Sequence, residues 1–158
     1  MVARRDGPGG WADGCLLALT LGSPLDAEAG QKFYLTKDSF QGGQALTACA
    51  KPFHMASLWE ILDPSNLKYD TGRGYINDDS GSGAPANVIG WIRTGGPASG
   101  AGGSGGANCN AWTSSSNLDT GTDVELSQGW NGAANVASPW NADTELCNGS
   151  LRVWCVQD

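Results

Sequence analysis

Four of the chain's five cysteines, Cys49, Cys109, Cys147 and Cys155, lie in its last 110 residues, and no other feature restricts its fold as strongly. An even set of cysteines in a chain of 158 residues reads as a disulfide framework formed in an oxidising compartment. Four cysteines allow three pairings, and the count alone does not choose among them. The fifth, Cys15, falls in the apolar run CLLALTLGSPL (15–25), which follows Arg4 and Arg5 and precedes the small-x-small triplet Ala27-Glu28-Ala29. That order is the pattern of a cleaved secretory signal. Residues 1–29 are therefore expected to be a signal peptide or a disordered N-terminal segment, and 30–158 a single secreted or cell-surface domain.

The length suits one domain, and 40% hydrophobic residues supply one core. A net charge of −7 with nine scattered basic residues argues against a nucleic-acid partner, which needs clustered cations. After position 30 no apolar run reaches the roughly 18 residues of a membrane-spanning helix. The 24 glycines lie mostly between apolar runs, as in a loop-rich fold containing strands.

Alternating apolar and polar residues predict a first strand at KFYLT (32–36). Ser39 is placed to cap a helix running to about Ala50, where Pro52 stops it. HMASLWEIL sets Met55, Leu58, Ile61 and Leu62 near one face of a second short helix closed by Asp63-Pro64. A polar loop follows over 69–87, anchored by Tyr75 and Ile76, then a strand at VIGWIRT (88–94). The run GGPASGAGGSGG (95–106) lacks the Gly-Lys-Ser/Thr ending of a phosphate-binding loop. Beyond it the chain is polar with spaced tryptophans, and LRVWCV (151–156) is a closing strand expected to pair with the first.

Several segments, in order, resemble the C-type lectin-like domains. Cys49 is followed by AKPFHMASL, with His54, Met55, Ala56, Ser57 and Leu58 where that family has His-Leu-Ala-Ser-Ile. Gly90-Trp91-Ile92-Arg93 is similar to its central Trp-Ile-Gly strand. Its Trp-Asn-Asp signature resembles Trp140-Asn141-Ala142-Asp143, and the seven-residue gap between its last two cysteines matches the gap from Cys147 to Cys155. NCNAWTSSSNLDTGTDVEL, carrying Cys109 and Trp112, resembles the endostatin-like and related bacterial branch. The likeness covers about Phe33 to Cys155. It implies an α+β fold: two short helices packed on a mixed or antiparallel sheet, a long irregular loop region, and two nested disulfides, Cys49 to Cys155 and Cys109 to Cys147. It does not imply sugar binding.

By the same resemblance, Asn141, Asp143 and Glu145 beside Trp140 could hold calcium or a sugar, calcium requiring hard oxygen donors. Two departures count against the family mechanism: Ala142 interrupts the Trp-Asn-Asp motif, and the family's Glu-Pro-Asn tripeptide is absent. Asp78 and Asp79 in Asn77-Asp78-Asp79-Ser80-Gly81 form a second oxygen-rich turn, better suited to solvation than to an ion. Trp112, Trp130 and Trp140 are candidates for an exposed aromatic platform, weighed against a role in pinning loops to the core. No catalytic constellation stands out. His54 is the only histidine, no nucleophile elbow is present, and Asp119, Asp123 and Glu125 are merely close in sequence. The expectation is a non-enzymatic recognition or adhesion module that binds an extracellular protein or glycan through its long loop region, between Trp91 and Trp140. It requires no cofactor, leaves calcium optional and admits a homo-oligomer. Its alternatives are a self-assembling surface or filament subunit and a small carbohydrate-active hydrolase. Asn148-Gly149-Ser150 is a glycosylation acceptor triplet.

Overall fold

A computed structural model describes residues 30–78, 80–93, 107–127 and 139–158. The expected signal segment 1–29, the glycine run 95–106, Asp79 and Trp130 lie outside the described residues. The described chain is α+β, with a mixed sheet, a few short helical turns and two disulfides.

The strands are β1 (Gln31–Leu35), β2 (Phe53–Met55), β3 (Leu67–Tyr69), β4 (Gly90–Trp91), β5 (Thr120–Leu126), β6 (Trp140–Leu146) and β7 (Arg152–Gln157). They form one sheet in the order β3-β1-β7-β4-β5-β6, with β2 also pairing with β7. Pairs β1·β3 and β4·β7 are parallel and the others antiparallel. The first and closing strands are neighbours, as their sequences predict: Phe33, Tyr34 and Leu35 face Val156, Cys155 and Trp154. Val153, Trp154, Cys155 and Val156 are all fully buried, because β7 takes partners on both of its edges.

Both helices predicted near the start are shorter than their sequence patterns. Ser39 does not cap the first, because Phe40 exchanges backbone hydrogen bonds with Leu151 (2.7 and 3.1 Å), which holds this stretch extended. The turn that follows is a 3-10 helix, Gly42–Thr47. Met55 belongs to β2 rather than to the second helix, since its backbone pairs with Cys155. α1 (Leu58–Ile61) begins after Ser57, whose hydroxyl accepts from the Glu60 amide while Glu60 accepts from the Ser57 amide, a reciprocal cap. Leu62 lies past its end and is 40% exposed. Asp63 does close the segment, accepting from the amide of Ser65 (3.0 Å) at the head of the 3-10 turn Pro64–Asn66. Ile76 is not an anchor, being 50% exposed, whereas Tyr75 is half-buried and stacks under the Arg152 guanidinium. The strand expected over 88–94 reduces to Gly90–Trp91.

The disulfides pair Cys49 with Cys155 and Cys109 with Cys147, nested as the resemblance implies. One ties the end of the 3-10 helix to β7; the other ties α2 (Cys109–Trp112) to the end of β6. α2 is an unusual element. All four of its residues carry positive φ, at 47°, 52°, 55° and 62°, so it is a left-handed turn built without glycine. The sulfur of Cys109 fits between two glycines. A Cβ on Gly121 would lie 2.6 Å from that sulfur and 2.9 Å from the Trp91 ring, and one on Gly42 would lie 2.9 Å from Cys109 Cβ.

Candidate functional site

Tryptophans were the first candidates, and the structure assigns two of them to packing. Trp112 and Trp140 are each only 5% exposed. Their indole N–H groups donate to backbone carbonyls, Trp112 to Arg93 and Trp140 to Ile61 (2.7 Å). Trp91 and Trp154 do the same, to Phe40 and Val124. Buried indoles need such a partner, and each bond fixes one segment to another. Neither Trp112 nor Trp140 therefore offers a ring to a ligand. Among the described residues, the tryptophan that faces solvent is Trp59 on α1, 68% exposed, which the platform expectation passed over.

The acidic residues are arranged differently. Along β6 the sequence WNADTEL alternates, so Trp140, Ala142 and Thr144 share one face and Asn141, Asp143 and Glu145 the other. Along β5 the register sets Glu125 opposite Asn141, Asp123 opposite Asp143 and Gly121 opposite Glu145. The sequence-predicted Asn141, Asp143 and Glu145 are thus brought onto one sheet face with Asp123 and Glu125. They line a trough of about 260 Å³, closed on one side by Ile89. Asp119 stays outside it, as do Asp78, exposed in its turn, and Ser80, whose hydroxyl accepts from the Asn77 amide.

Asp123 is the unusual member. It is 4% exposed as a residue, and among the described residues no Lys or Arg pairs with it. Burial, then the charges of Asp143, Glu145 and Glu125, push its pKa up to about 6. Like charges directly opposed across two strands destabilise a sheet, so nothing about β5 and β6 as structure calls for this pair. Asp143 and Glu145 each accept a hydrogen bond from the next backbone amide, of Thr144 and Leu146 (both 2.8 Å). The flanking bonds from Ser127 to Pro139 and from Cys147 to Asp119 turn those two amides toward the edge of β6 that no described strand covers. The side chains thereby blunt an edge that could otherwise recruit another strand.

The fit to calcium is poor. That ion takes six to eight oxygens, and among the described residues no three Asp, Glu, His or Cys side chains converge as a metal site requires. Asn141 instead leans on Glu125 (3.4 Å).

A second cavity of about 570 Å³ opens beside β3, lined by Phe33, Leu67, Tyr69, Ala84 and Leu126 with Lys68 at its border. His54, half-exposed on β2, bridges two carboxylates: its Nε2 meets Glu60 (2.8 Å) and its Nδ1 meets Asp158 (2.6 Å). Burial lowers its pKa, but the bonds and charges of Glu60 and Asp158 outweigh that and raise it overall. This is the environment of a structural imidazolium rather than of a free base. Among the described residues no helix is long and apolar enough to cross a membrane.

No protein-family model matches the chain, and no curated protein or solved structure matches it either.

Proposed function

We propose that the chain is a recognition or adhesion module of the C-type lectin-like kind, working outside the cell or at its surface, which engages a protein or glycan through the β5–β6 face. The carrying observation is the direct opposition of Asp123 and Asp143 on one sheet face, with no described cation paired to either. A fold retains such a cost where a ligand offsets it. The two disulfides support an oxidising compartment. The nested pairing, the adjacent first and closing strands and the motifs around Cys49, Trp91 and Trp140 support the lectin-like reading. The calcium mechanism of sugar binding is not part of it, because the donors do not converge.

The test is a glycan array and an extracellular-protein panel probed with the full chain, with and without chelator. Binding that D143N abolishes and chelator leaves intact is the expected result. Concentration-dependent self-assembly with no ligand on either panel would favour a structural subunit. Polysaccharide turnover lost in D123N would replace the reading with a hydrolase.

A further inference from the structure

We infer that Asn148 is a modification site and carries an N-linked glycan. The modification presupposes the secretory route on which the recognition reading rests.

Asparagine accepts such a glycan when Ser or Thr stands two residues on and the residue between is not proline. Of the chain's asparagines only Asn148, in Asn148-Gly149-Ser150, meets that condition. The fold sets the triplet where a bulky sugar can be carried. It forms the turn between β6 and β7, with Asn148 and Ser150 exposed, and the Gly149 amide closes that turn by donating to the Leu146 carbonyl (2.8 Å). The main-chain carbonyl of Asn148 accepts from Gln41 Nε2 (3.2 Å), while its side-chain carboxamide is left to solvent. Gly149 suits the turn, since a Cβ there would crowd the Leu146 oxygen at 3.0 Å. Ser150 has no such explanation. Ser65, Ser80, Ser114 and Ser116 each brace a local turn through the hydroxyl, whereas no described group bonds the hydroxyl of Ser150. That hydroxyl is available to a transferase reading the third residue of the triplet. The two disulfides call for an oxidising compartment, and the lumen in which this transfer takes place is one.

The co-reactant is an oligosaccharide held on a lipid diphosphate. A bond forms between Asn148 Nδ2 and the anomeric carbon of the sugar, and the bond from that carbon to the diphosphate oxygen breaks. The lipid diphosphate leaves with the electron pair, and the amide gives up one proton; nothing is oxidised or reduced. The attached sugar would stand two residues past the end of β6, beside Leu146, which is 44% exposed. Its bulk would add to the side-chain bonds that blunt that edge.

The full chain, with its own N-terminus, is expressed in a eukaryotic secretory host and treated with peptide-N-glycosidase in heavy-oxygen water. The expected result is a glycan mass on the peptide containing Asn148, lost on treatment as Asn148 becomes an aspartate carrying heavy oxygen. N148Q and S150A should each abolish the glycan, by different routes, and S150T should keep it. Near-UV circular dichroism verifies that each variant is folded. D119T turns Asn117-Leu118-Asp119 into a second acceptor triplet, with Asn117 and Leu118 exposed, and so reports whether the transferase reaches the chain. A glycan at Asn117 of that variant with none at Asn148 would overturn the inference and leave the secretory route intact. No glycan at either position would overturn both. Conversion of Asn148 without a glycan mass and without heavy oxygen would be spontaneous deamidation of an Asn-Gly pair, and would overturn it as well.

Discussion

Cys109, Asn110, Ala111 and Trp112 show how a residue can hold a conformation that its own chemistry disfavours. A left-handed backbone costs an L-residue roughly 1–2 kcal/mol. Here the conformation is over-determined by the Cys109–Cys147 bridge, by the buried Trp112 ring and by the Asn108 side chain, which accepts from the Ala111 amide (3.0 Å). Ala111 is exposed and loses little packing if its methyl is removed. Ala111→Gly should therefore stabilise the protein by about 1 kcal/mol, read as a rise in the chemical-denaturation midpoint with an unchanged slope. Gly121→Ala should do the opposite and cost about 1–3 kcal/mol, because its Cβ would press on the Cys109 sulfur and the Trp91 ring. Neither position announces itself in the sequence: Asn110 and Ala111 carry no left-handed signal as strong as glycine, and Gly121 reads as one loop glycine among many. The burial of Trp112 and Trp140 was one of two roles that their loops allowed. Only packing tells which role each took.

At the scale of elements, β1 and β7 were legible because apolar and β-branched residues alternate or cluster within them. β5 and β6 were not. TGTDVEL and WNADTEL alternate just as regularly, but their Asp, Asn and Glu residues have poor strand propensity and read as turn formers and ion ligands. The trough was hidden for the same reason. Its members were all noticed, in two separate groups, and only the strand register joins Asp123 and Glu125 to Asn141, Asp143 and Glu145. The strand pair has a pH signature. Because the pKa of Asp123 is raised in the folded state, its favourable contribution is present below the ordinary carboxylate range and is lost as pH rises through about 6. Asp123→Asn should hence stabilise the protein at pH 8, by on the order of 1–3 kcal/mol, and change little at pH 4, measured by denaturation at both values. The His54 bridge runs in the same sense, at the pH range of an imidazole. Its stabilisation is complete below the imidazole's ordinary pKa and fades as pH rises through the raised one, so His54→Gln should cost about 0.5 kcal/mol at pH 6 and less at pH 9.

For the whole molecule, the cross-links set the balance. Cys49 and Cys155 are 106 residues apart and Cys109 and Cys147 are 38 apart, so in the chain-entropy account the bridges constrain the unfolded state by about 4.7 and 4 kcal/mol. Reduction should unfold the protein or lower its melting temperature sharply. Peptide mapping without reductant should yield Cys49 linked to Cys155, and a Cys147–Cys155 fragment would contradict the structure. The α+β class and the cysteine framework were readable because cysteine spacing and terminal strands survive as local patterns. The mixed order of the sheet was not, since it depends on contacts between residues a hundred positions apart.

That same order bears on how the protein is made. β7 joins β1, β2 and β4, yet it leaves the ribosome after all three. A nascent chain that has already delivered every other strand still has a gap at the centre of its sheet and an unpaired thiol at Cys49. Assembly of the sheet's centre and closure of the Cys49–Cys155 bridge must therefore wait for the last strand.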